Sequence, residues 1–356
     1  MKICVVVGTR PEIVKMAPII HELKNRHLDF SLVHTGQHYD HDLSQVFFEE
    51  LDLPPADVNL ETGSGSQAEQ TATALVRLES TFRKISPDLV LVEGDTNTVL
   101  AGALAAAKLG IDVGHVEAGL RSYDLRMPEE HNRRLTDHLS SYLFAPTPRA
   151  ASTLEREACW GKVRVTGNTV IDACLLFGPK AERSSSILKE IPFGQFALAT
   201  THRAENVDDP KILRQFCEIF DKCPIPIVYP IHPRTRERYR SAGLLSVLEA
   251  SQNVALLPPL GYMDFILLLM KCDFVLTDSG GIQEEITAPN IRKKAFVLRY
   301  STERPEAVES GYAEVVGTVA DTVLQKITRF LSEGWTPFGP CPYGVGDSRY
   351  RILDAI

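Results

Sequence analysis

Short runs of apolar, mostly β-branched residues recur along this chain, each ending in a polar turn that leads into apolar residues at helical spacing. Ile3 to Val7 is the first run. It stops at Gly8-Thr9-Arg10-Pro11-Glu12, after which Ile13, Met16, Ala17 and Ile20 repeat with the period of a helix face. Phe30 to His34, Asp88 to Val92, a run ending near Glu117, Tyr142 to Ala145 and Val163 to Val165 continue the series, which predicts six or seven strands. A second series follows with Phe196 to Thr200, Ile225 to Tyr229, Val254 to Leu257 and Phe274 to Thr277. Strands joined through helices can pair in parallel, and parallel sheets are covered by helices on both faces. The expectation is therefore an α/β protein with two Rossmann-like domains facing a cleft. Ligands in such sheets sit outside the carboxyl ends of the strands, so the residues just after each run are those to read for function.

At 356 residues and 44% hydrophobic, the chain can bury two cores. Its formal net charge is −8 with no lysine- or arginine-rich run, which argues against nucleic acid and against a membrane surface. Seven scattered cysteines without a C-x-x-C pair point to reduced thiols and a cytoplasmic location. The longest apolar run, Phe265 to Met270, is far too short to cross a bilayer, and no targeting segment is visible.

The turn after the first strand offers free N–H groups and the positive end of a helix dipole, with Arg10 and Lys15 adding charge toward an anion. A packed βα unit with surface cations is the plainer reading. The turn lacks G-x-G-x-x-G and the second strand ends in Thr35-Gly36 instead of an acid, so nicotinamide is not expected. Gly63-Ser64-Gly65-Ser66 lacks the lysine of a P-loop and reads as a flexible connection before a helix over Gln67 to Ile85. His34, His38 and His41 with Asp40 and Asp42 resemble a metal cluster, yet no pair stands at i, i+4 inside a clear helix; a polar loop lining a cleft fits better, and no metal is assigned.

Acids gather in the next two turns. Asp95 follows a strand and precedes the helix over Thr98 to Leu109, where it serves either as a helix cap or as a site carboxylate. Glu117 closes the following strand at the same edge, and Pro128-Glu129-Glu130 reads as a helix start. Arg121, Arg133 and Arg134 are candidates to support these acids or to pair on a solvated surface.

Gly178 to Ser186 has linker composition, placing the domain boundary near 168 to 190. Beyond it, His202-Arg203 and His232-Pro233-Arg234 both put a histidine and an arginine at a strand's carboxyl end, as a diphosphate pocket would. Phe265, near a helix start, either packs in the core or stacks on a base. Ser279-Gly280-Gly281 opens another helix with glycines that permit close backbone approach to a phosphate, and Glu285 lies where it can hold two ribose hydroxyls. Gly334 to Gly346 reads as a crossing strap that returns the helix 347–356 to the first domain.

Taken together, Gly8 to Glu12, Gly94-Asp95-Thr96, His115 to Arg121, Pro128 to Glu130, Thr166 to Ala173, His202-Arg203, Thr277 to Glu285 and Thr302 to Glu306 make the chain resemble the non-hydrolysing UDP-N-acetylglucosamine 2-epimerase family over nearly its whole length. The resemblance implies a GT-B type, glycosyltransferase-like fold. Residues 1–168, joined by 347–356, would carry the catalytic carboxylates, and 169–346 would bind UDP. Asp95, Glu117, Glu129 and His202 match the family's catalytic residues. Arg10, Lys15, Arg203, Phe265, Ser279, Gly280, Gly281 and Glu285 match its substrate contacts, and Glu130 falls to a helix-start role. The implied reaction interconverts UDP-N-acetylglucosamine and UDP-N-acetylmannosamine by eliminating and re-adding UDP through 2-acetamidoglucal, without cofactor or metal, in a homodimer. The loop from Arg121 to Pro128 is shorter than in bacterial members, and positions around Gln37, Asn206, His232 and Arg234 depart from their pattern, which counts against a regulatory second site. Rival readings are a hydrolysing epimerase, an epimerase of a related UDP-diacetamido sugar, a glycosyltransferase, and a UDP-sugar-binding regulator without turnover.

Overall fold

The computed structural model describes residues 1–36, 47–63 and 65–356. His38, Asp40, His41, Asp42, Gln37 and Ser64 lie outside the described residues. The chain divides into two compact units, Met1–Leu176 with Tyr343–Ile356, and Phe177–Pro342. The division falls inside the helix Thr169–Ser184, not at 168/169.

The first unit holds strands β1 (Ile3–Val7), β2 (Phe30–His34), β3 (Val58–Asn59), β4 (Leu89–Glu93), β5 (Asp112–Val116), β6 (Tyr142–Ala145) and β7 (Lys162–Val165). They form one seven-stranded sheet in the order β3-β2-β1-β4-β5-β6-β7, every pairing parallel. β1 and β4 are buried along their whole length, as strands covered by helices on both faces must be. Val5 pairs with Leu32 on one side and Leu91 on the other, so the strand order reverses between β1 and β4. That reversal opens a crevice at the carboxyl edge, between the turns that follow β1 and β4.

The second unit repeats the plan with β8 (Ala197–Thr200), β9 (Ile227–Pro230), β10 (Val254–Leu257), β11 (Phe274–Thr277), β12 (Lys294–Val297) and β13 (Ala313–Val315), in the order β10-β9-β8-β11-β12-β13 and again all parallel. Its order reverses between β8 and β11, which sets the turns at His202 and Ser279 side by side. A core of Phe216, Phe220, Tyr229, Tyr239, Phe274 and Phe296 underlies that edge.

The stretch read as a linker is partly helical, and the helix after residues 63–66 starts with a defined cap. Gly178 to Ser184 is helical, although Pro179 lies inside it, and a Cβ at Gly178 would come within 2.4 Å of the Asn290 side chain. Ser66 caps the helix Gln67–Ile85 in a capping box: its hydroxyl accepts from Glu69 N–H, and its own N–H donates to Glu69 Oε2 at 2.9 Å. The last helix, Ser348–Leu353, belongs to the first unit, where Asp172 accepts from the N–H groups of Ser348 and Arg349 and from the Arg349 guanidinium. No helix among the described residues is long and apolar enough to cross a membrane.

Candidate active site

The turn after β1 is built around Glu12. It is buried in the first turn of the helix Arg10–Asn25 and accepts from Gly8 N–H at 2.7 Å and from the hydroxyls of Thr9 and Thr96 at 2.8 Å. One carboxylate thus joins the turn after β1 to the turn after β4. Burial outweighs these bonds and pushes Glu12 up to about 7. Arg10 opens the same helix, its guanidinium 4.5 Å over the Phe47 ring.

Lys15 points inward from this helix. Its ammonium lies 3.1 Å from Glu93, the last residue of β4, and donates to Glu117, the residue after β5. Glu117 also accepts from Asn168 Nδ2 at 2.9 Å. Its φ of 71° is in the left-handed region, which costs a residue with a Cβ about 1 kcal/mol and is held only where surrounding contacts dictate it. Glu93 is almost wholly buried. Burial is the largest influence on it; Lys15 opposes the effect, Glu117 and Glu12 reinforce it, and the carboxyl ends well above its ordinary pKa.

Asp95 receives the Arg133 guanidinium, and Arg133 also donates to Glu130 at 2.8 Å. The helix cap expected of Asp95 is made by Thr96, whose hydroxyl accepts from Val99 N–H. Glu129 lies in the first turn of the helix Pro128–Leu139 and is half-buried. Glu130 is fully buried: it accepts from Ser122 N–H at 2.8 Å and from its hydroxyl at 2.9 Å, so it clamps the preceding loop and does more than start a helix. Arg121 and Arg134 reach Glu157 at 2.7 Å and 3.3 Å, and Arg121 also pairs with buried Asp137 at 2.7 Å. Asp95 and Glu117 thus follow two neighbouring strands of one sheet.

In the second unit, fully buried Asp278 after β11 organises the turn after β8. It accepts from His202 N–H at 3.0 Å, from Arg203 N–H at 3.0 Å and from Asn206 Nδ2 at 3.1 Å. The His202 imidazole stands 3.5 Å from it with 46% of the side chain exposed. Protein packed around the ring lowers the His202 pKa; Asp278 opposes this, while Arg203 and Arg299 add to it. Arg203 donates to Glu303 at 2.8 Å and Arg299 to the same carboxylate at 2.7 Å. Burial opposes ionisation of Glu303, but Arg304, Arg203 and Arg299 together hold it down to about 2.

Ser279 is the N-cap residue of the short helix Gly280–Glu285 and leaves its hydroxyl out of the cap. Gly280 is packed so closely that a Cβ would come within 2.7 Å of Glu303, whereas Gly281 has open space in front of it. Glu285 is buried at the end of that helix, and Phe265 is half-buried in the helix Tyr262–Lys271.

The model of the family described as UDP-N-acetylglucosamine 2-epimerase matches residues 21–356. The chain belongs to this family. The UDP-N-acetylglucosamine 2-epimerase of Methanocaldococcus jannaschii is 43% identical over 367 residues, covering 99% of this chain and 98% of that protein. The crystal structure of the Methanocaldococcus jannaschii UDP-GlcNAc 2-epimerase in complex with UDP-GlcNAc and UDP matches with a TM-score of 0.91 at 42% identity, covering 100% of this chain and 99% of that one. The UDP-2,3-diacetamido-2,3-dideoxy-D-glucuronate 2-epimerase of Pseudomonas aeruginosa is 38% identical over 363 residues, covering 100% of this chain and 99% of that protein.

Within this epimerase-family fold, Asp95 and Glu117 come from turns at the edge of the first sheet and Arg10 and Lys15 from the helix after β1, while His202, Arg203, Ser279 and Gly280 stand at the edge of the second sheet. Lys15, expected to face an anion, is in the interior between two carboxylates. His232 caps the helix Pro233–Ser241 by accepting from Arg234 N–H at 3.2 Å, and Arg234 pairs with Asp208 at 2.7 Å. His34 is buried edge-on to Phe48. Glu12, Glu93, Asp278 and Glu303 were not singled out from the sequence. Glu93 ends β4, Asp278 follows β11, Glu12 is in the first turn of a helix and Glu303 lies two residues before the helix Pro305–Glu309, positions that ordinary caps and strand ends share. Among the described residues, His138, Glu157 and Cys159 bring a nitrogen, an oxygen and a sulfur within 4.8 Å of one another, but Glu157 is already committed to Arg121 and Arg134.

Proposed function

We propose that this chain reversibly epimerises UDP-N-acetylglucosamine to UDP-N-acetylmannosamine at C2, by eliminating and re-adding UDP. The observation that carries the reading is the placement of Asp95 and Glu117 after adjacent strands, with Glu129 opening the helix whose Arg133 holds Asp95, in a member of this family. The C2 hydrogen has no neighbouring carbonyl to acidify it, so its removal must be coupled to departure of UDP. One carboxylate takes the C2 proton. The C–H electron pair becomes the C1–C2 double bond of 2-acetamidoglucal, and UDP leaves with the C1–O pair. A carboxylic acid on the opposite face returns a proton to C2, and UDP re-forms the bond to C1.

Two environments favour these steps. Lys15 and Asn168 orient Glu117, and Arg133 orients Asp95. UDP departs more readily when its growing charge meets fixed donors, a role that fits Arg10, His202, Arg203 and the Ser279-Gly280-Gly281 turn, with Glu285 on the ribose and Phe265 beside the base. The reaction as written draws on no cofactor. One observation favours a second reading: the 38% identical relative from Pseudomonas aeruginosa acts on a UDP-diacetamido glucuronate. Incubation with each UDP-sugar in turn, with the product's C2 configuration read by proton NMR, tests both. Turnover of UDP-N-acetylglucosamine supports the first reading; turnover of the diacetamido uronate alone replaces it with the second.

A further inference from the structure

We propose that His115, held as an imidazolium by Asp137, is a positioning residue that fixes Asp95 and Glu117 relative to each other. The inference rests on the reading of those two carboxylates given above. His115 lies in β5 with no solvent exposure. Its Nδ1 is 2.7 Å from Asp137 Oδ1 and its Nε2 is 2.8 Å from the Gly94 carbonyl oxygen. A carbonyl and a carboxylate only accept, so both ring nitrogens must carry hydrogen, and a neutral imidazole would set a lone pair against one of them. The other oxygen of Asp137 takes Arg121 at 2.7 Å and Gly119 N–H at 3.2 Å, so this carboxylate is surrounded by donors. The buried charges then balance: His115 and Arg121 are positive, Asp137 and Glu157 negative, with Arg134 at the rim on Glu157.

The pair reaches the turns or helix that carry Asp95, Glu117 and Glu129. Gly94 immediately precedes Asp95 and has a φ of 88°, a turn held on one side by its N–H on the Val116 carbonyl at 3.2 Å and on the other by His115. Asp137 holds the backbone at Gly119, and through His115 the backbone at 115, so it brackets Glu117 in the chain. It also stands on the helix that Glu129 opens. Loss of the imidazolium frees the Gly94–Asp95 peptide without touching any group that meets the sugar.

The test is His115→Gln in the full chain. A glutamine cannot span both acceptors as a rigid ring does. Displacement of a reacting group by about 1 Å costs about 100-fold in rate, so kcat should fall by about that factor while KM and UDP affinity stay within about twofold. In a double-mutant cycle with Asp95→Glu, the two losses should be strongly sub-multiplicative, since both act through the same carboxylate. Equal losses in kcat and UDP affinity, or losses that simply multiply, overturn the proposal. A measurement on the wild type covers a variant that does not fold: in histidine-labelled protein at neutral pH, nitrogen NMR should show both His115 nitrogens protonated, and a neutral ring overturns the proposal. The two levels separate cleanly. Wild-type protein that turns over no UDP-sugar overturns the reading of the site, whereas wild-type turnover that survives His115→Gln overturns the positioning role.

Discussion

Lys15→Met keeps most of the side chain's length and removes only its charge, leaving Glu93 and Glu117 buried without the cation between them. The two contacts, 3.1 Å to Glu93 and a direct hydrogen bond to Glu117, are both in the interior. Removing one partner of a buried ion pair costs about 3–5 kcal/mol, because the remaining charge has lost its compensation. The variant can limit that loss by taking up a proton. Glu93 already has a raised pKa, so at neutral pH the cost should fall near the lower end, about 3 kcal/mol. The sign with pH follows from the same fact. A carboxyl whose folded-state pKa lies above its unfolded value contributes stability at low pH that is lost as pH rises, and each extra bound proton adds a slope of about 1.4 kcal/mol per pH unit. Urea unfolding of wild type and variant side by side at pH 6 to 9 should therefore show a deficit that widens with pH. A deficit below about 1 kcal/mol that stays flat across that range would refute the claim that Lys15 neutralises this cluster.

Three further outcomes are expected. Asp95→Asn, Glu117→Gln and Glu129→Gln should each lower kcat by at least about 100-fold with UDP affinity nearly unchanged, by calorimetry and a progress assay; near-normal turnover removes that residue from the mechanism. Glu303 is held down to about 2, so its contribution is present above its unfolded value of 4.5 and is lost as pH falls through 2, about 3 kcal/mol in all; acid unfolding of Glu303→Gln should lack that component. His202 starts below its usual pKa, and a bound diphosphate should raise it, so UDP binding near pH 6.5 should take up protons, measurable as a buffer-dependent heat.

Ten of the strands are readable as apolar runs, and Asp95 and Glu117 because each follows such a run, whereas β3, β12 and β13, with two to four residues each, are too short to stand out in the sequence. The place of Lys15 was not readable. Its spacing suits a cation aimed at a ligand, and the carboxylates that turn it inward come from β4 and the turn after β5, contacts no local pattern encodes. Glu130 was underestimated for the same reason: its partner Ser122 reaches it only because the loop before the helix folds back. Gly178-Pro179 has the composition of a linker, and the approach of Asn290 to Gly178 inside the helix is a tertiary contact that no local pattern encodes. Nothing local marks Glu12 or Glu93; burial, with nearby carboxylates adding to it, raises their proton affinity, and both are tertiary effects.

Incubation of the protein with UDP-N-acetylglucosamine in heavy water tests the central claim most directly. Elimination and re-addition through a carboxylic acid in exchange with solvent predicts intact UDP-N-acetylmannosamine carrying deuterium at C2. Product with hydrogen retained at C2, or free N-acetylmannosamine with UDP, would contradict it.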